Sequence, residues 1–223
     1  NGRRRQRQMC IRDRLYPTGA MVSNQHYLLT QNLCNKFGAN ITNEVDHFSL
    51  TPWLPKMESQ HIMPGDASMA GFAILLSKLH NCQVHVNNWP EDQDTLGNEL
   101  LQLMAAPLGI SWISDTIVNA KSFEYAVYDL TDCNDLITPL SAILAISGGG
   151  KIYGISHTIY KESNRIEKTI ELLACFGLMV NFSGDALFIE GRQTPRAPNH
   201  PVNCHNDHRL YMTAVLLLSL IHI

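Results

Sequence analysis

Apolar and polar positions along this chain alternate between two periods, and the periods recur in a fixed order. Residues 67–79 place Met69, Phe72, Ala73, Leu76 and Leu79 near one face of a helix. Residues 82–86 alternate as a strand does. Residues 94–105 return to helical spacing through Leu96, Leu100, Leu101, Leu103 and Met104, and 109–113 and 123–128 then read as strands. The same order returns further along. Residues 136–146 read as a helix, 151–155 as a strand, and 163–176 as a helix stopped by Gly177. Strands at 178–182 and 186–190 follow, joined by a turn at Gly184-Asp185. A last apolar helix covers 210–218.

Short strings make the repeat concrete. Glu99-Leu-Leu-Gln-Leu-Met leading to Gly109 corresponds to Glu171-Leu-Leu-Ala-Cys-Phe leading to Gly177. An earlier half-copy runs from Asn32 through Phe37-Gly38, followed by the strand-like Phe48-Ser-Leu. A helix ending in glycine and then a hairpin, in three copies, predicts an α/β fold built of repeated units. Each unit ends in two adjacent strands, which differs from a Rossmann succession and predicts small mixed sheets with helices beneath them.

Composition narrows the class. The chain has 223 residues, 45% hydrophobic and 17% charged, which suits a folded protein of one large or two small domains. No apolar stretch reaches the roughly 20 residues needed to span a bilayer. The six cysteines are scattered, with no CxxC pair, as expected of free thiols in a reducing, cytoplasmic compartment. The formal net charge of −3 is uneven: six arginines lie within residues 1–14, and the rest of the chain carries −8. A basic tail of this kind reads as a nucleic-acid binder. However, RRRQRQMCIRDR resembles translated sequencing-library adapter, as does the terminal LSLIHI. The expected division is therefore tails at 1–14 and 218–223, the end of a first domain at 15–63, and most of a second at 64–217.

Polar residues crowd several predicted helix starts. Lys161-Glu162-Ser163-Asn164-Arg165 offers two cations four residues apart, a carboxylate for proton transfer, and Ser163 as a cap. Asn206-Asp207-His208-Arg209 and Asp132-Cys-Asn-Asp135 precede two further helices, and Gly65-Asp66 precedes the helix at 67–79. On spacing alone, ordinary capping is the simpler reading of each, Asp135 included. Gly148-Gly-Gly-Lys151 lacks the P-loop pattern and reads as a flexible turn. His200, Cys204, His205 and His208 form a His/Cys-rich run whose spacing fits no standard zinc finger; a non-catalytic zinc module is the alternative it leaves open.

Taken together the strings are more specific. Lys161-Glu162-Ser163-x-Arg165, Asp207-His208-Arg209-x-x-Met212 and Gly65-Asp66-Ala-Ser68-x-Ala70 resemble signature segments of the 5-enolpyruvylshikimate-3-phosphate synthase family. Asp135-Leu-Ile-Thr-Pro-Leu, Val22-Ser23 and Glu91-Asp-Gln93-Asp94 are similar to further segments of that family. The resemblance covers about residues 19–217. It implies the inside-out α/β fold of enolpyruvyl transferases, here incomplete. The implied substrates are shikimate 3-phosphate and phosphoenolpyruvate, handled by a cytoplasmic monomer with no metal or organic cofactor and no membrane or nucleic-acid partner. By position, Asp135 is the implied base, and Lys161 and Glu162 the proton-transfer groups. Arg165 and Arg209 would grip the phosphoenolpyruvate carboxylate, and Ser23 would bind the shikimate phosphate. His26 and His157 stand where many members carry Tyr and Asn. The Lys-Ser-x-x-x-Arg, Ser-Ser-Gln and final lysine segments of the family are not in this chain, so the expectation is that it is inactive alone. The UDP-N-acetylglucosamine branch is the alternative within the same chemistry.

Overall fold

In a computed structural model of the chain, the described residues are 13–19, 22, 24–56, 66–87, 101, 105–113, 115–119 and 124–221. They fall into two compact units divided between Met63 and Pro64. Residues Glu91 to Asp94, Ser23, Gly65 and most of the expected helix at 94–105 lie outside the described residues.

The first unit is one strand, one helix and a hairpin: β1 (Asp13–Leu15), α1 (Asn24–Lys36), β2 (Ile41–Asn43) and β3 (Phe48–Leu50). The strands lie in the order β1-β3-β2, all antiparallel, with Ser49 of the middle strand opposite both Arg14 and Thr42. Tyr27 ties helix to hairpin. Its ring lies 4.6 Å from that of Phe48, and its hydroxyl donates to Asn43 Oδ1 at 2.7 Å.

The second unit repeats that plan twice. Its first copy holds α2 (Ala70–His80), β4 (Val84–His85), β5 (Ile110–Ile113) and β6 (Thr116–Asn119), with strand order β4-β6-β5. Its second copy holds β7 (Ala126–Asp129), α3 (Ile137–Ile146), β8 (Gly150–Tyr153), α4 (Arg165–Cys175), β9 (Val180–Ser183) and β10 (Ala186–Ile189). Here β8-β10-β9 reproduces the antiparallel order, and β7 adds beside β8 in parallel. A last helix, α5 (His208–Ile221), follows. The glycine that ends each helical segment is equivalent in all three copies. Gly38, Gly109 and Gly177 have φ of 94°, 63° and 72°, and each N–H bonds the carbonyl three residues back.

Two sequence expectations change here. The hairpin partner of β5 is β6, and the apolar run at 123–128 instead contains β7, the parallel strand that opens the next copy. β6 (Thr-Ile-Val-Asn) has only one buried residue, Ile117, so its apolar signal is weak. The Gly148–Gly150 stretch is also no flexible turn. A Cβ on Gly150 would stand 2.3 Å from the Ala126 carbonyl, and one on Gly149 would stand 2.7 Å from Gly191 N. Backbones cross there at a distance that only glycine permits.

The core of the second unit is built on a trio of helices: α2, α3 and α5 pack against one another, α4 packs against α3 and α5, and strand residues such as Ile152 and Leu187 join the same buried cluster. In α3 every residue from Ile137 to Ala145 is buried, as expected of a helix that is apolar all round. α2 and α3 approach closely because Gly71 leaves room; a Cβ there would meet Leu136 Cδ2 at 2.8 Å. Among the described residues no helix is long and apolar enough to cross a membrane. Cys34, Cys82, Cys133, Cys175 and Cys204 are free thiols; Cys133 is buried and Cys175 exposed.

Candidate active site

The trio has a chemical consequence. α2, α3 and α5 each begin at an aspartate: Asp66, Asp135 and Asp207. Asp66 caps the 3-10 turn that leads into α2, its Oδ1 accepting from Ser68 N at 2.9 Å and from Ser68 Oγ at 2.6 Å. Asp207 caps α5 in the same way, its Oδ1 accepting from Arg209 N at 2.9 Å.

Asp135 breaks the pattern, and the sequence expectation of a capping role with it. Its carboxylate caps nothing; it faces cations instead. Arg165 Nη1 donates to its Oδ1, Lys161 Nζ lies 3.7 Å from the same oxygen, and Arg209 Nη2 lies 3.4 Å from Oδ2. Three cations outcompete one backbone N–H for a carboxylate. Burial pushes the Asp135 pKa up, but the charges of Arg209, Lys161 and Arg165 outweigh it and hold the carboxyl below its ordinary value.

Arg165 is the hub. Its side chain is 1% exposed, and its guanidinium meets three carboxylates. Nε donates to Asp207 Oδ2 at 2.9 Å, Nη1 to Asp135, and Nη2 to Glu162 Oε2. The Asp207 side chain is 0% exposed, so this is a buried ion pair. Burial alone would raise the Asp207 pKa. Hydrogen bonds from Arg165, Arg209 N and Ser163, with the Arg165 charge, hold it below the ordinary value. Glu162 is the outward member, its side chain 48% exposed.

Arg209 joins the two remaining helix starts. Its Nη1 donates to the Asp135 carbonyl and its Nη2 to Ser68 Oγ, both at 3.1 Å. Asp66 Oδ2 lies 3.7 Å from Nη2. Its Nε is buried with no hydrogen-bond partner among the described residues.

α4 begins later than its sequence indicates. Asn164, not Ser163, is its cap, with Oδ1 accepting from Glu167 N at 3.3 Å. Ser163 Oγ instead donates to Asp207 Oδ2 at 3.0 Å. Lys161 therefore precedes the helix by a bend, yet it and Arg165 still converge, on Asp135. His157 stands in the 3-10 turn Ser156–Tyr160 after β8, where Asn134 Nδ2 donates to its Nε2 at 2.8 Å. Burial first and the Lys161 charge second lower its pKa, so the ring is neutral at pH 7; with Nε2 accepting from the Asn134 amide, the proton is assigned to Nδ1.

Of the residues singled out in the sequence, Asp135, Lys161, Glu162, Arg165 and Arg209 form one cluster, with His157 joined to it through Asn134, the neighbour of Asp135. His26 lies on α1 in the first unit, where its carbonyl accepts from Thr30 Oγ1. Asp207 and Ser68 are further members that sequence reasoning took only as caps or as part of a motif. The His/Cys-rich run does not converge: His205 Nε2 lies 3.3 Å from Glu171 Oε2 while Asp207 turns to Arg165. Among the described residues no three His, Cys, Asp or Glu side chains could jointly hold a metal ion.

A sequence model of EPSP synthase (3-phosphoshikimate 1-carboxyvinyltransferase) matches residues 14–221. The chain belongs to the EPSP synthase family. It is 27% identical over 198 residues to the 3-phosphoshikimate 1-carboxyvinyltransferase of Caldivirga maquilingensis, covering 87% of this chain and 47% of that protein. To the enzyme of the same name from Limosilactobacillus fermentum it is 28% identical over 202 residues, covering 84% and 47%. EPSP synthase from Acinetobacter baumannii shares the fold, with a TM-score of 0.69 at 16% identity over 92% of this chain and 50% of that one. So does the enolpyruvyl transferase NikO of Streptomyces tendae, with a TM-score of 0.57 at 12% identity. The fold expected from the resemblance, α/β and of the enolpyruvyl transferase kind, is the one observed. The chain spans about half the length of the EPSP synthase relatives it matches.

Proposed function

We propose that the complete protein transfers the enolpyruvyl group of phosphoenolpyruvate to the 5-hydroxyl of shikimate 3-phosphate, with release of phosphate. The observation that carries this reading is the convergence of Arg165, Arg209 and Lys161 on Asp135, with Glu162 at the outer edge. Addition and elimination at an anionic enol need those types of group: cations for the carboxylate, a base for the hydroxyl, and a proton carrier for C3.

The chemistry balances in two stages. The 5-hydroxyl oxygen bonds to C2 of phosphoenolpyruvate, its proton passes to Asp135, and C3 takes a proton from Lys161 or Glu162. The tetrahedral intermediate then returns a C3 proton to the protein, and the C2–O bond to phosphate breaks. The products are the enolpyruvyl ether and inorganic phosphate. Asp135 suits the base role because neighbouring charges keep it ionised at neutral pH. Arg165 and Arg209 suit the substrate carboxylate because their planar guanidinium groups donate in pairs. On Arg165 the substrate would compete with Glu162, the half-exposed partner, not with buried Asp207. Displaced from Nη2, Glu162 is free to move a proton. His157, neutral, offers its Nδ1–H to a substrate hydroxyl. Ser23 and His26 are assigned to the shikimate side on the family resemblance alone.

Within the cluster four carboxylates (Asp66, Asp135, Glu162, Asp207) face three cations (Lys161, Arg165, Arg209). Two anionic substrates need more positive charge than that, so the 223-residue chain by itself is expected to be inactive. The test is phosphate release by the complete protein from shikimate 3-phosphate plus phosphoenolpyruvate, with UDP-N-acetylglucosamine as the rival acceptor. Arg165→Lys should weaken phosphoenolpyruvate use most; unchanged kinetics would remove Arg165 from the site.

A further inference from the structure

Asp207 has two oxygens and both are committed. Oδ1 accepts the Arg209 backbone N–H at the start of α5, and the Arg209 side chain in turn donates to Ser68 Oγ and the Asp135 carbonyl. Oδ2 accepts Arg165 Nε and Ser163 Oγ. One buried carboxylate just before α5 thus holds the backbone of one arginine and the guanidinium of the other, 42 residues away on α4. Anchoring at Nε has a geometric effect. A planar guanidinium fixed at that corner turns its two Nη groups away, towards Asp135 and outward Glu162.

We infer that Asp207 is a positioning residue: it sets the orientation of both Arg165 and Arg209 towards a bound carboxylate without touching the substrate. Full burial fits this role and not a proton-transfer one, since the Asp207 side chain is closed to solvent and its Oδ2 is already held by Arg165 and Ser163. Ser163 serves the same end by occupying the second lone pair of Oδ2, so the carboxylate cannot rotate to follow a moving arginine.

The inference rests on the reading of the site given above, and steady-state kinetics of the complete protein separate the two. Asp207→Asn keeps the shape and an oxygen for the α5 cap but removes the charge that fixes Arg165. The KM for phosphoenolpyruvate should rise about 10- to 100-fold, the worth of a hydrogen bond to a charged group. The KM for shikimate 3-phosphate should hold, and kcat should change far less. Ser163→Ala should shift the phosphoenolpyruvate KM in the same direction by a smaller factor, and it decides the matter if Asp207→Asn does not fold. A purely structural role would lower kcat with the folded fraction and leave both KM values alone; that result overturns the inference. An active wild type with an unchanged phosphoenolpyruvate KM in both variants also overturns it, while leaving the reaction standing. A wild type that releases no phosphate overturns both.

Discussion

Replacing Arg165 with methionine leaves the volume of the side chain roughly in place and strands Asp207. The ion pair is closed to solvent, with side chains 1% and 0% exposed. Removing one partner of such a pair costs about 3–5 kcal/mol, because the other charge stays buried. Asp207 would keep its bonds from Ser163 Oγ and Arg209 N, so the lower end, about 3 kcal/mol, is expected. In a chain of this size that is a fall in Tm of roughly 6–12 °C. The deficit should also depend on pH. In the wild type the Asp207 pKa is held below its ordinary value, so its stabilisation is complete above about pH 3.9 and is lost as pH falls through the folded value. In the variant, burial acts without the arginine and the pKa climbs; protonation then relieves the variant before it costs the wild type. Urea unfolding of the 223-residue chain at pH 7 and pH 5 should show the deficit narrowing at the lower pH. A deficit below about 0.5 kcal/mol, the range of ordinary surface changes, or one constant across pH, would refute the buried-pair argument.

Other consequences are separately measurable. Asp135→Asn in the complete protein should lower kcat by roughly 10²–10⁴-fold and abolish the acid limb of the pH–rate profile, because a base with a lowered pKa works above that value and fails below it. Gly150→Ala should destabilise the chain by about 1–3 kcal/mol in thermal melts, since the new methyl would meet the Ala126 carbonyl. Asn164→Ala should cost about 1 kcal/mol by removing the α4 cap. His157, whose pKa is lowered, destabilises the fold only as pH drops below about 6.5, where the unfolded chain takes up the proton first. His157→Asn should flatten that part of the stability curve.

The repeat was legible because its signals are local. The glycine after each helical segment, the helical stripes and the Gly184-Asp185 turn need no distant partner to be read. β6 was missed because three of its four residues are only half-buried, which leaves little alternation to see. The cluster was legible only as separate helix starts. Asp66, Asp135 and Asp207 carry the same local signature, and nothing nearby in sequence tells two caps from one cation-bound carboxylate. What distinguishes Asp135 is the trio of cations brought to it, Arg165 from α4, Arg209 from α5 and Lys161 from the bend before α4, a consequence of helix packing. Ser163 gives up the expected cap to Asn164 for the same reason: either can cap, and Asp207, 44 residues from Ser163, takes the Ser163 hydroxyl.

These helix starts are proposed to form half of an enolpyruvyl transfer site for shikimate 3-phosphate. Phosphate release by the complete protein, with each acceptor in turn, tests it most directly. Phosphate should form in step with the enolpyruvyl ether of shikimate 3-phosphate, and none should form with UDP-N-acetylglucosamine. Release with the nucleotide sugar alone, or with neither acceptor, would contradict it.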